Sequence, residues 1–261
     1  MTFTRKLRLS LLTALLAGAP LLSQAALTQV RFAVDPTYPP FESKTADGKL
    51  VGFDIDLGNA LCQQMDVKCV WVENEFDGMI PALKARKFDA ILSDMGITAE
   101  RLKQIDFTVP VYNTPVMLVA RKGSGLLPTA ESLKGKSVGV EQGTVQERYA
   151  RLKWQPYGVN VVPYGDQAQV ENDLVAGRID AEFTDGAQAG IGFLKSPAGK
   201  DFELSGPAVE DPIIGPGTAI GLRKGDTELR TALDDAYAKI KANGTFDKLQ
   251  KKYFTTDISV K

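Results

Sequence analysis

The chain has 261 residues, with 31 Lys and Arg set against 32 Asp and Glu, and no histidine. A near-neutral total without a basic stripe excludes a nucleic-acid surface. The lack of histidine excludes Ser-His-Asp and Cys-His catalysis and removes the commonest zinc ligand, and two cysteines do not make a metal site, so neither a metal nor a cofactor is expected.

Residues 1–25 read as a cleaved secretory signal. Arg5, Lys6 and Arg8 form the basic start, Leu9 to Leu22 the apolar core, and Ser23-Gln24-Ala25 the small-residue cleavage site. That core is too short to span a bilayer, and no later stretch comes near the required length. The first cysteine is Cys62, far from the cleavage site, so a lipid anchor is not expected. The mature chain reads as soluble and exported.

Alternation of strands and helices begins at once. Val30 to Val34 reads as a strand that ends in a proline-punctuated loop, Asp35 to Phe41. Phe53 to Met65 reads as a helix with Leu57, Leu61 and Met65 on one face. Lys68 to Val72 is the next strand. Cys62 and Cys69, seven apart in an exported chain, read as a disulfide tying helix to strand, with two free buried thiols as the alternative. A helix over Phe76 to Lys84 carries Phe76, Met79, Ile80 and Leu83 at helical spacing, and the run Phe88 to Leu92 reads as a short buried strand. Thr98 then caps a helix whose first turn holds Arg101, where an acid would be the stabilising choice. Arg101 there either pairs on the surface with Asp106 or Glu100, or serves as the receptor for a carboxylate at a strand-end crevice.

A second unit follows Pro110. Strands are expected at Lys136–Val140, Asn160–Val162 and Ile179–Phe183, the last ending at Thr184-Asp185. Helices are expected from Gly143-Thr144 to about Leu152 and over Gln167–Ala176. A strand over Thr218–Leu222 and helices over Thr227–Ala242 and Thr245–Lys252 close the chain. This order implies two α/β lobes, each a mostly parallel sheet flanked by helices, with crossovers at Asn113–Val116 and in the Pro/Gly-rich Pro207–Gly217.

Six segments carry a resemblance. Tyr38-Pro39-Pro40-Phe41, Val51-Gly52-Phe53-Asp54-Ile55-Asp56-Leu57, Phe76-Asp77-Gly78-Met79-Ile80-Pro81-Ala82-Leu83, Ile97-Thr98-Ala99-Glu100-Arg101, Ser132-Leu133-Lys134-Gly135-Lys136 and Gly177-Arg178-Ile179-Asp180-Ala181 occur in this order. Together they resemble the polar amino-acid family of periplasmic solute-binding proteins (family 3), most closely its lysine/arginine/ornithine- and histidine-binding members. The likeness runs from Val30 to about Phe254, and the cysteine pair matches the cationic subgroup.

The resemblance implies a two-lobed type II binding-protein fold that closes over one free amino acid and delivers it to an inner-membrane ABC permease. The protein would be a periplasmic monomer. Lobe one would hold residues 26–113 and 218–261, lobe two residues 117–208, with hinges near 113–117 and 208–218. Arg101 would grip the α-carboxylate, helped by the Thr144 and Val145 N–H groups after Gly143. Asp185 would pair with the α-ammonium and Ser93 would assist. Tyr38 and Phe76 would sandwich the side chain, and Asp35 and Asp54 would meet a cationic tip. Three positions depart from the subgroup. Asp94 and Gly96 stand where serines are usual, and Glu141 where an apolar residue is usual. Together they make the pocket more negative and favour a ligand with net positive charge. An opine-like ligand, and an exported cyclohexadienyl dehydratase on the same fold with Glu141 or Asp94 as general acid, are the alternatives.

Overall fold

The computed structural model describes residue 2 and residues 27–260, so the expected signal segment lies outside the described residues except at residue 2. The strands in chain order are β1 (Gln29–Val34), β2 (Thr37–Tyr38), β3 (Glu42–Lys44), β4 (Leu50–Val51), β5 (Lys68–Glu73), β6 (Ala90–Ile91) and β7 (Ile105–Phe107). After them come β8 (Val116–Arg121), β9 (Ser137–Glu141), β10 (Asn160–Tyr164), β11 (Ala181–Asp185), β12 (Phe202–Val209) and β13 (Gly221–Arg223). The helices are α1 (Phe53–Met65), α2 (Met79–Lys84), α3 (Ala99–Gln104), α4 (Ala130–Leu133), α5 (Val145–Lys153), α6 (Gln167–Val175), α7 (Thr227–Ala242) and α8 (Thr245–Tyr253).

Two five-stranded sheets make the two lobes. Their orders are β5-β1-β6-β13-β7 and β10-β9-β11-β8-β12. β1 runs parallel to β5 and β6, and β9 runs parallel to β10 and β11. The expected parallel core is present, but each sheet also holds one reversed strand. β13 is antiparallel to β6 and β7, and β8 is antiparallel to β11 and β12. Both reversed strands are the first laid down after the chain passes from one lobe to the other. A chain arriving from the neighbouring lobe enters the sheet from the end where its own strands finish, so it must run against them. Strands β2, β3, β4, β7, β8 and β12 have no counterpart in the sequence reading.

The first core explains how the Pro39-Pro40 loop is held. Phe41 is buried and stacks on Tyr112 with ring centroids 5.5 Å apart, while Phe53 meets Phe254 edge-on at 5.0 Å. Leu57 and Leu61 of α1 and Leu233 and Ile240 of α7 complete this cluster. Pinning Phe41 in the core turns the preceding Tyr38 toward the space between lobes, and the loop forms a small sheet of its own, β2-β3-β4. Cys62 and Cys69 form the disulfide. Closing so short a loop contributes roughly 2.5 kcal/mol in the chain-entropy picture. In the second lobe Trp154 packs on Phe183 at 4.5 Å over Leu118, Val138 and Val140.

Candidate ligand-binding site

Between the lobes lies a cleft of about 570 Å³ of unfilled space, mouth included. Its walls come from strand ends and helix starts of both sheets, the place where an α/β fold leaves side chains free of sheet packing. Asp35, Tyr38, Phe76, Ser93, Asp94, Gly96 and Arg101 line it from the first lobe, and Glu141, Thr144, Val145 and Asp185 from the second.

Arg101 is held by local sequence first. Thr98 caps α3, its hydroxyl accepting the Arg101 N–H at 3.2 Å. The helix is only six residues long, so Arg101 belongs to its last turn as much as its first. Arg101 is 7 % exposed; its guanidinium lies over the Phe76 ring at 5.3 Å and donates to the carbonyls of Gly96 at 2.6 Å and Gly143 at 2.9 Å. The surface partners within its reach along the chain are engaged elsewhere, Glu100 with Arg148 and Asp106 with Lys224. Among the described residues no carboxylate stands at ion-pair distance from Arg101. Burial pulls its pKa down to about 10, opposed by the charge of Asp94. A buried guanidinium bonded only to carbonyls is a site for an anion.

Opposite it, β11 delivers Asp185 from the second lobe. Its carboxylate accepts the N–H groups of Ala187 at 2.7 Å and Gln188 at 3.1 Å, together with the Thr114 hydroxyl. Burial nonetheless raises its pKa to about 6. Asp94 sits in a left-handed turn (φ 44°) and accepts the Thr218 hydroxyl at 2.7 Å. Burial, then repulsion from Asp185 and Asp54, pushes it well above the usual carboxylate range.

Asp35 accepts the Thr37 hydroxyl at 2.8 Å and the Phe76 N–H at 3.0 Å. Glu141 ends β9 with a buried carboxyl whose Oε1 has no hydrogen-bond partner. Burial and then Asp35 drive its pKa well above the ordinary value. Ser93 spends its hydroxyl inside the wall, accepting the Asp35 N–H at 3.0 Å and donating to Glu42 at 2.8 Å, which leaves its carbonyl for other work.

Asp54 is the one expected contact that the fold does not bring to the cleft. Its position on the first turn of α1 buries it completely behind the wall, where it accepts the Asp94 N–H and the Tyr112 hydroxyl, each at 2.9 Å. Burial raises its pKa to about 7. Glu42 lines the cavity from that wall instead, 1 % exposed and with its Oε2 unpartnered, and sequence reading missed it along with Thr114 and Thr218. An acid directly after Pro39-Pro40-Phe41 was the available signal for Glu42. Nothing local marks the two threonines, which reach the site because the crossovers do.

The two lobes touch across the cleft. The Tyr38 hydroxyl bonds Thr184 Oγ1 at 3.0 Å, and the Asp77 carboxylate accepts from Gln142 at 2.8 Å. Gly143 has φ +80°, and a Cβ there would lie 2.9 Å from the Asp77 Cα, so glycine is required by both backbone and space. The lobes are therefore closed.

The chain is similar over nearly its whole length to known proteins. It is 50 % identical over 256 residues to the histidine-binding periplasmic protein of Salmonella typhimurium strain LT2, covering 97 % of this chain and 98 % of that one. It is 50 % identical over 254 residues to the lysine/arginine/ornithine-binding periplasmic protein of Escherichia coli strain K12, covering 97 % of each. A solved Salmonella typhimurium periplasmic binding protein, described as having high arginine specificity, superposes with a TM-score of 0.81 at 35 % identity, covering 87 % of this chain and all of that one. The family model for bacterial extracellular solute-binding proteins, family 3, matches residues 30–256, and the chain belongs to that family.

Proposed function

We propose that this protein captures a free cationic amino acid of the arginine, lysine, ornithine or histidine type in the periplasm and hands it to an ABC permease. The observation that carries the reading is Arg101, a buried guanidinium without a carboxylate partner, facing Asp185 from the opposite lobe. A zwitterion completes both: its carboxylate takes Arg101 with the Thr144 and Val145 N–H groups, and its ammonium takes Asp185. Tyr38 and Phe76 flank the side chain and Asp35 faces its tip, while Asp54 supports the wall from behind. Membership of a solute-binding family makes capture the activity, rather than dehydration of a prephenate-like acid. The relatives' names, which specify histidine, lysine, arginine and ornithine, support the choice of ligand class.

Residues 26–113 with 218–261 act as one rigid lobe and 117–208 as the other, and the protein works as a monomer. The hinges are the segments near 113–117 and 208–218. Because neither lobe holds both charged partners, ligand selects the closed form. Calorimetry against arginine, lysine, ornithine and histidine, paired with solution scattering, tests this. Binding with a smaller radius of gyration is expected. An unchanged radius despite binding would rule out closure, and no binding by any of the four would rule out the function.

A further inference from the structure

Two pairs of acids repel each other around the cleft, Asp94 with Asp185 and Glu141 with Asp35, and Glu141 also feels Asp94 more weakly. Of that second pair, Asp35 has one oxygen engaged by the Thr37 hydroxyl and the other by the Phe76 N–H. Glu141 is only 3 % exposed, lines the cleft, and keeps Oε1 without a partner. A buried carboxyl oxygen left without a partner beside a cavity is costly unless something arrives to bond it. An apolar side chain would fill the same place at the end of β9 without that penalty.

We propose that Glu141 is the specificity determinant of this cleft, its open carboxyl taking the distal guanidinium or ammonium of the ligand while Asp185 takes the α-ammonium. The inference rests on the reading of the cleft as an amino-acid site and adds a demand for a second positive charge. The charged and titratable groups facing Glu141 are Asp35 after β1, Tyr38 in β2, Asp77 in the turn before α2, Asp94 after β6 and Asp166 before α6. Arg101 is the cation lining the same cavity. Burial, and then the nearby Asp35, raise the pKa of Glu141 well above its ordinary value in the free site. An arriving cation favours the carboxylate, so the O–H bond breaks, the electron pair stays on Glu141, and the proton passes to the buffer. Affinity for a ligand with a distal cation therefore rises with pH up to the pKa of the unliganded Glu141, and levels off above it.

Calorimetry of the full mature chain with L-arginine and L-citrulline tests this, since citrulline keeps the length and replaces the guanidinium by a neutral urea. Each titration is run in two buffers of different ionisation enthalpy, which counts the protons released. Glu141→Gln is expected to weaken arginine at least about tenfold more than citrulline, and to abolish most of the proton release that arginine causes in the native chain. Glu182→Gln is the reference variant, removing a buried carboxyl with an unpartnered Oε2 that does not line the cleft. It should change arginine affinity less than about threefold. Equal losses for the two ligands in Glu141→Gln, an equal loss in Glu182→Gln, or arginine binding without proton release overturns the proposal and leaves amino-acid capture standing. Failure of the native chain to bind either ligand overturns capture and this proposal together.

Discussion

Tyr38 and Asp185 are 147 residues apart in sequence, yet the Asp185 backbone N–H donates to the Tyr38 hydroxyl at 3.2 Å across the cleft. The same hydroxyl bonds Thr184 Oγ1 at 3.0 Å. One phenolic oxygen from the first lobe thus engages two successive residues of β11 in the second. That contact sets the lobe separation at which Asp185 and Arg101 face a common space.

Tyr38→Phe keeps the ring that lines the cavity and removes only this latch. Loss of the two hydrogen bonds is worth about 1–2 kcal/mol, or roughly fivefold to thirtyfold in affinity for every ligand alike. Calorimetry of the variant with several amino acids checks it. A loss confined to one ligand would mean that the hydroxyl reads the ligand rather than the other lobe.

Gly192 supplies a test of closure that leaves the cleft lining untouched. A Cβ at this position would drive into the carbonyl oxygen of Pro39 in the opposite lobe. Gly192→Ala is expected to hold the lobes apart, weaken binding by about tenfold or more, and leave a larger radius of gyration at saturating ligand. Native affinity in this variant would show that full closure is not needed.

Arg101→Met should be the most damaging substitution in the cleft. It keeps an unbranched side chain against Phe76 but leaves the bound carboxylate without its charged partner, at a cost of about 2–5 kcal/mol in binding. Thermal melting of the unliganded variant separates lost binding from lost folding. A loss below about threefold with a folded protein would return Arg101 to a structural role.

Unliganded protein is expected to lose stability as pH rises. Burial holds Asp54 at about 7 and Asp185 at about 6 against an ordinary 3.8, and it drives Glu42, Asp94 and Glu141 well up. Above about pH 4 the unfolded chain has released these protons, while the folded one keeps that of Asp185 to about 6 and that of Asp54 to about 7, so rising pH favours unfolding. Asp89 works the other way. Burial alone would raise it, but hydrogen bonds from Arg31 bring it below its ordinary value, so its contribution is lost only as the solution becomes strongly acid. The melting temperature without ligand should be higher at pH 5 than at pH 8 by on the order of 5 °C. Saturating cationic ligand should narrow that gap. A higher melting point at pH 8 without ligand would contradict the ionisation state assigned to the cleft.

Much of this molecule is legible in local pattern. The helix α1 begins at Phe53 and ends at Met65, where the spacing of Leu57 and Leu61 placed it, because a buried face of one helix is a short-range property. Thr98 and Thr144 cap their helices as their positions suggest, each accepting an N–H three residues on. Six ordered motifs sufficed to recognise the family. By contrast, the strands β7, β8 and β12 were not foreseen. Their pairing partners lie in distant parts of the chain, and nothing in their own residues announces which edge they will join.

Sequence by itself determined which residue types this protein could use: no imidazole, one cysteine pair, an arginine after a capped turn, and acids spread from Asp35 to Asp185. Tertiary structure decided which of those acids meet in one cavity. It drew Glu42, Thr114 and Thr218 to the wall, withdrew Asp54 behind it, and left Glu141 facing the cleft with an oxygen free. The physical reason is range. Capping and periodicity act within a few residues, whereas the charge and accessibility of a cleft depend on the strand ends of two sheets meeting, with contributors drawn from distant parts of the chain.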